Sequence, residues 1–491
     1  MDKKLKSDYL NRIQAIGIFF LCCTWICRGQ EEIHLADRRE IFVDHYLIDK
    51  LDGVFLKLHE PRDEGPVFYF DKPWEGAFSG YVTIIKDGER FCAYYRGEPE
   101  AGKDGNIGEV TCYAESNDGI HWEKPNLKLY QVKGTYDNNT VLANRPPFSH
   151  NFAPFLDTNP QTLSEEKYKA LSGTSDSGLT AWISPDGIHW KKKQEKSVME
   201  KGEFDSQNVS FWSVQEQCYV CYFRTWSTGF YDGFRTVSKA TSTDFIHWSE
   251  QKEMTYGDTP QEHLYTNQTS PYFRAPHISV AIGGRFMPGR QVLTEEQAEK
   301  LDVQSDYYKD CSDVFFMTSR GGYEYVRTFM EAFIRPGIGL NNWVSRSNYP
   351  ACNVVQTGEY EMSLYVNQDY AQPAAHLHRY SMRLDGFTSL SAPFSGGEMT
   401  TKNFTFSGKR LEINYSTSAA GSLKFELQDE QGTPIPGYSL ADADEIIGNE
   451  IARTVSWKGR TDVSLPASQK VRLRIWMKDA DLYSVRFDDT E

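Results

Sequence analysis

Five short polar segments interrupt otherwise apolar stretches of this 491-residue chain, and each holds residue types capable of acid–base or anion-binding chemistry. They are Trp74-Glu-Gly-Ala-Phe-Ser-Gly80, His150-Asn-Phe-Ala-Pro-Phe-Leu-Asp157, Phe204-Asp-Ser-Gln-Asn208, Tyr272-Phe-Arg-Ala-Pro-His277 and Thr357-Gly-Glu-Tyr-Glu-Met362. A carboxyl group set in apolar surroundings must be paired, protonated or put to use. Two of them in unlike environments can divide into a proton donor and a base. Glu75, Asp157, Asp205 and Glu361 are the candidates, with Asp205 and Glu361 leading into the strand-like runs Val209-Ser-Phe-Trp212 and Met362-Ser-Leu-Tyr365. Turn capping is the competing role for Asp157, beside Asn159-Pro160, and for Asp205, beside Ser206. Arg274 and His277 bring a fixed cation close to a titratable imidazole. The guanidinium fork suits a carboxylate or sulfate, and the imidazole can serve as an acid, although pairing of Arg274 with Asp205 or Glu361 is the simpler use. Asn151, Arg224 and Trp226 complete the expected rim, the indole offering an apolar face to a ligand's C–H groups.

Other chemistries find less support. The net charge of −15 opposes phosphate backbones and anionic lipid, so no nucleic-acid partner is expected. The sequence carries no P-loop, no dinucleotide fingerprint and no Gly-x-Ser-x-Gly elbow, and no cofactor is expected. A structural calcium on a central axis is compatible with the sequence, which lacks a calcium-loop signature. Cys218-x-x-Cys221 resembles half a zinc site, but it lies in the strand-like run Gln217-Cys-Tyr-Val-Cys-Tyr-Phe223, where residues three apart face opposite ways. No metal site is expected there. The basic start (Lys3, Lys4, Lys6, Arg12) and the apolar run Ile16 to Ile26 read as a cleaved signal peptide over residues 1–29, too short to span a bilayer comfortably. A secreted or periplasmic protein is the expectation.

The elements that must position these residues are announced by a repeat. Ser116-Asn-Asp-Gly-Ile-His-Trp122 recurs as Ser184-Pro-Asp-Gly-Ile-His-Trp190 and Ser242-Thr-Asp-Phe-Ile-His-Trp248, with degenerate copies at Thr318-Ser-Arg-Gly-Gly-Tyr323 and Arg383-Leu-Asp-Gly-Phe387. Five copies imply five units. Each full copy is a tight turn between strand-like runs, and further paired runs such as Tyr81-Val-Thr-Ile-Ile85 and Phe91-Cys-Ala-Tyr-Tyr95 make about four strands per unit, the pattern of a propeller blade rather than a solenoid coil. The repeated His121, His189 and His247 then fall on separate outer turns and are expected to be structural. After Leu390 the strands alternate strictly, as in Arg410-Leu-Glu-Ile-Asn-Tyr415 and Val471-Arg-Leu-Arg-Ile-Trp476. The expected architecture is all-β, with a five-bladed β-propeller over 30–390 and a β-sandwich over 391–491.

This combination of Ser-x-Asp-Gly-x-x-Trp turns, a closing Arg383-Leu-Asp-Gly-Phe-Thr-Ser-Leu390 and a C-terminal sandwich resembles the inulinase and invertase superfamily, which includes arabinanases and β-xylosidases. The motifs Trp-x-Asn-Asp-Pro-Asn-Gly, Arg-Asp-Pro and Glu-Cys are missing here, and the nearer similarity is to the hydrolase-32-like proteins of polysaccharide-degrading bacteria. The resemblance implies hydrolysis of O-glycosyl bonds by carboxylates on the innermost strands of successive blades, around a funnel on the axis. On that basis Asp205, in the third blade, Glu361 and Asp157 are the catalytic candidates, with Arg274, His277, Asn151, Glu75, Arg224 and Trp226 binding substrate. The implied substrate is an oligosaccharide from plant or algal polysaccharide, of the xylosidase or arabinofuranosidase kind, with acidic or sulfated sugars suggested by Arg274. The alternatives are a non-catalytic carbohydrate-binding propeller and a protein-interaction propeller, the latter requiring a large exposed apolar face.

Overall fold

A computed structural model describes residues 32–229 and 231–489. The expected signal segment lies outside the described residues. Five separate small sheets form the blades. The first contains Gly80–Asp87, Arg90–Gly97, Val110–Ser116 and Thr140–Leu142, the second Ala153–Leu156, Tyr168–Thr174, Gly178–Ser184 and Lys191–Lys192. The third contains Val209–Ser213, Cys218–Trp226, Arg235–Ser242 and Lys252–Glu253. In the fourth, the innermost strand is split into His263–Leu264 and Thr269–Tyr272, both on Ala275–Met287, which in turn pairs with Cys311–Ser319. The fifth blade places Tyr349–Pro350 and Val355–Gln356 on Glu361–Gln368, then His376–Arg383.

The outermost strand of that fifth blade is Arg62–Tyr69, from the other end of the propeller sequence, antiparallel to His376–Arg383. The ring is thus closed by a sheet ladder, and opening it would expose those backbone groups to water. At the axis the innermost strands of blades one and five run parallel, joined through Thr83 and Cys352.

The repeated turns explain their own sequence. Ser116 Oγ accepts from the amides of Asp118 and Gly119, and Asp118 accepts from the amides of Ile120 and His121 and from His121 Nδ1 at 2.7 Å. Burial works to raise the Asp118 carboxyl, but the hydrogen bonds from His121 and these amides together outweigh it and hold it well below the usual carboxylate range. The same bonds recur at Asp186 and Asp244. Two of the turns also staple neighbouring blades: Tyr365 of blade five donates to Gly119 O, and Tyr94 of blade one to Gly187 O. The left-handed φ of 74° at Gly119 and 78° at Gly187 suits glycine, whereas the third copy places Phe245 at 67°. Its ring is completely buried against Phe155 and Tyr219, which offsets the backbone cost. The three histidines therefore serve three separate Asp caps. Cys218 and Cys221 are free thiols on one strand.

The remaining strands form a ten-stranded sheet around one apolar core that includes Leu411, Phe425, Trp457, Ile475 and Leu482. Its spine is the pair Arg410–Asp429 and Val471–Asp488, whose inward residues alternate with outward ones. Here the domain boundary differs from expectation. Ile33–Ala36, Arg39–Ile41, Ile48–Asp52 and Phe55–Leu58 fall within 30–390, yet they pair with C-terminal strands and belong to this sheet. The physical reason is burial: Ile33, Leu35, Phe42 and Leu47 complete its core. Asp385 pins this sheet to the propeller, accepting from Tyr272, Arg274, Asn414 and Ser484 while fully buried. Among the described residues, no helix is long and apolar enough to cross a membrane.

Candidate active site

Polar residues converge where the innermost strands begin. The backbone there is strained in every blade, with left-handed φ at Tyr81 (51°), Asn151 (45°), Phe204 (42°), Gln268 (45°) and Asn348 (65°). Such non-glycine residues cost about 1–3 kcal/mol each and persist where packing over-determines them, often at functional sites. Two amides close the axis below this ring. Gln207 Nε2 donates to Thr83 Oγ1 at 2.7 Å, and Gln268 Nε2 donates to Gln207 Oε1 at 2.6 Å and to Pro350 O at 2.8 Å. Beyond them lies a cavity of about 600 Å³, lined by Ile84, Phe155, Phe211 and other inner-strand residues.

On the mouth side, one part of the site is built by blades three and four. Asp205 Oδ2 pairs with Arg224 Nη1 at 3.0 Å, and Arg224 also donates to Tyr265 O and lies 4.0 Å from the centre of that ring. Arg235 stacks on Trp226 at 4.4 Å and on Tyr265 at 5.1 Å. Burial raises the Glu203 carboxyl, and the nearby Asp205 raises it further. Burial also works to raise the Tyr265 phenol, but Arg346 and Arg224, with Arg235, outweigh it and hold the phenol below the ordinary tyrosine value.

The second part comes from blades one and two. Arg96 pairs with Glu98 at 3.3 Å and Glu109 at 3.6 Å, and Glu109 bonds His150 Nδ1 at 2.8 Å. Asn151 Nδ2 lies 3.0 Å from His150 Nε2. Burial raises the Glu98 carboxyl, assisted by Glu109, whereas His150 and Arg96 overcome burial and hold Glu109 below its usual value. The two parts meet at Tyr370, which accepts from Arg96 at 3.2 Å and lies 6.0 Å from the Arg346 guanidinium, and at Tyr81, 4.7 Å from Arg96. Among the described residues, several buried atoms here have no partner: Glu203 Oε2, Asn151 Oδ1, Trp226 Nε1 and Tyr349 Oη. Orphaned buried polar atoms are uncommon, and this concentration of them marks a place for a polar ligand.

Of the residues expected from sequence, Asp205, Arg224, Trp226 and Asn151 lie in this site. The others do not. Glu361 starts the second strand of blade five, beside the end of the inner strand at Gln356, and pairs with Arg379 and Arg62. Antiparallel pairing carries it to the end away from Tyr349. Asp157 ends its inner strand rather than starting it, held by Lys169 at 2.5 Å and Tyr219 at 2.8 Å. Glu75 is an internal tie, bonded to Tyr95 and Lys124 at 2.6 Å each. Arg274 pairs with Asp385 at 3.0 Å and His277 with Glu40 at 2.8 Å, both against the N-terminal and C-terminal strands. Sequence reasoning missed Arg96, Glu98, Glu109, Glu203, Arg235, Tyr265 and Arg346. One signal was available: Arg96 and Arg224 each lie near the end of an apolar second strand, after Tyr94-Tyr95 and Tyr222-Phe223.

No family model matches the chain, and no curated protein matches it. Solved structures do. The chain is similar to a structure described as a glycoside hydrolase, with 11% identity over 66% of this chain and 92% of that one and a TM-score of 0.41. It is similar to an N-acetylgalactosamine deacetylase from F. plautii in complex with blood group B trisaccharide, with 13% identity, 68% and 96% coverage and a TM-score of 0.39. It is also similar to a fructofuranosidase from Schwanniomyces occidentalis complexed with fructosylnystose, with 10% identity, 88% and 98% coverage and a TM-score of 0.37. Glycoside hydrolases recur among the solved structures it resembles.

Proposed function

We propose that the protein is a glycosidase whose mouth hydrolyses an O-glycosyl bond, with Glu203 as proton donor and Asp205 as base or nucleophile. The observation that carries this reading is the unlike setting of two neighbouring carboxyl groups. Glu203 is raised by burial, so it keeps its proton to higher pH, while Asp205 is salt-bridged to Arg224. Two carboxyl groups in unlike settings of this kind can divide acid and base roles. Glu98, raised likewise on the blade-one side, is the second candidate donor. Trp226 and Tyr265 supply ring faces, and the unpartnered Asn151 Oδ1 supplies an acceptor for a sugar hydroxyl. The apolar run Ile16 to Ile26 supports export of the chain, and plant or algal oligosaccharides are the substrates to try first.

One observation favours a second reading, a carbohydrate-binding propeller without turnover. The starts of the inner strands in blades two, four and five present amides, at Asn151, Gln268 and Asn348, where carboxylates on successive blades were expected. Screening the protein against aryl glycosides and plant and algal oligosaccharides, with Asp205→Asn and Glu203→Gln alongside, separates the two. Turnover that falls by about 10²-fold or more in either variant supports the hydrolase, in the range for acid–base groups. Saturable sugar binding with no turnover in the parent protein supports the binding module.

A further inference from the structure

Three guanidinium groups surround the ring of Tyr265, those of Arg224 at 4.0 Å, Arg235 at 5.1 Å and Arg346 at 5.5 Å from its centre. Asp205 pairs with Arg224. Among the described residues, no carboxylate lies within ion-pair distance of Arg235 or Arg346, and neither guanidinium donates a hydrogen bond to a protein acceptor. Arg235 Nε is buried and finds no acceptor among the described residues. Arg346 is held among Tyr265, Tyr307 and Tyr370, on a residue with a left-handed φ of 62°. Stacking on aromatic faces offsets only part of the cost of gathering three like charges. The contrast with the whole chain is sharp, since a protein of net charge −15 has collected uncompensated cations in one place.

We propose that this site takes a sugar bearing an anionic group, a carboxylate or a sulfate, and that Arg235 and Arg346 bind that group beside Tyr265. The inference rests on the reading of the mouth as a sugar site. Arginine suits the task because its fork presents paired donors to either oxyanion and it stays charged when partly desolvated. The neighbouring orphan atoms, Trp226 Nε1 beside Arg235 and Tyr349 Oη beside Tyr265, are available to uncharged hydroxyls of the same sugar.

The test titrates the protein with D-galacturonate, D-galactose 6-sulfate and neutral D-galactose, following tryptophan and tyrosine fluorescence at low and high salt. At least one charged sugar is expected to bind about tenfold or more tightly than galactose, with an affinity that falls as salt rises. A preference for the uronate assigns a carboxylate, and a preference for the sulfate ester assigns a sulfate. Arg235→Gln and Arg346→Gln should each reduce that preference about tenfold or more, and Arg346→Lys should restore part of it; circular dichroism establishes that each variant is folded. Equal binding of all three sugars, absence of binding by both charged sugars at millimolar concentration, or a charge preference that survives in the double Gln variant overturns the inference. The hydrolase reading fails separately: charged sugars bind selectively, but no glycoside is cleaved. Cleavage of neutral glycosides with no charge preference leaves the hydrolase standing and removes the anionic sugar.

Discussion

Replacing Asp385 by alanine tests whether Arg274 serves the domain junction rather than the ligand site. Asp385 is fully buried and accepts from Tyr272 at 2.8 Å, Ser484 at 2.7 Å, and Arg274 and Asn414 at 3.0 Å each, with Arg39 at 3.6 Å. Arg39 keeps Glu412 after the substitution, but Arg274 loses its carboxylate and three neutral donors lose an acceptor. Removing one partner of a buried ion pair costs about 3–5 kcal/mol, chiefly because the remaining charge is left without compensation. Asp385→Asn keeps an acceptor oxygen, so its cost should be smaller, about 1.5–3 kcal/mol, as for a hydrogen bond to a charged group. With a urea m-value of about 3 kcal/mol/M, the alanine variant should lower the unfolding midpoint by about 1–2 M. Urea unfolding followed by fluorescence reads this directly, and a sugar titration at 25 °C on the still-folded variant should match the parent. A stability loss under about 1 kcal/mol would refute the junction argument. Loss of sugar binding from a folded Asp385→Ala protein would return Arg274 to the ligand site.

Further outcomes follow from the same contacts. Activity that depends on protonated Glu203 should decline as pH rises through its elevated pKa, and Asp205→Asn, by removing a negative neighbour, should move that limb to lower pH; pH–rate profiles on a turned-over substrate check both. The capped turns should matter in acid. Asp118, Asp186 and Asp244 are depressed in the folded state, Asp186 to about 2, so their contribution is complete above the unfolded value of about 3.9 and is lost as pH falls through the folded values. Denaturation between pH 5 and 2 should therefore be less steep in Asp186→Asn than in the parent. Gly187→Val should destabilise by about 2 kcal/mol or more, because it combines a left-handed φ of 78° with overlap of the Tyr94 hydroxyl. Deleting residues 62–69 removes the strand that closes blade five, and the product should show lost cooperativity on thermal melting rather than a native propeller with a free edge.

The number of blades was legible because a turn motif is local chemistry. Ser, Asp and His at fixed spacing bond the turn's own backbone and side-chain groups, so Ser116 to Trp122 and its two copies mark the same structure wherever they occur, although the third carries Phe245 in place of Gly. Period-two alternation likewise revealed Arg410–Tyr415 and Val471–Trp476, which the structure extends into the long strands Arg410–Asp429 and Val471–Asp488, since a strand with one buried face writes that pattern into its sequence. Asp205, expected at the start of an inner strand, and Arg224 and Trp226, expected on the rim, lie together in the candidate site. What the chain alone did not decide is which end of each strand reaches the mouth. Glu361 and Asp157 look as suitable as Asp205 in sequence, yet one sits at the start of a second strand and the other at the finish of a first, and antiparallel pairing sends both to the opposite end. The arginine cluster is hidden for a related reason. Arg96, Arg224, Arg235 and Arg346 lie on three blades, and only closure of the ring through Arg62–Tyr69 brings them around Tyr81, Tyr265 and Tyr370. A local motif is determined by bonds within a few residues; a charge cluster at an axis exists only after non-local sheet closure has set five strand directions in register.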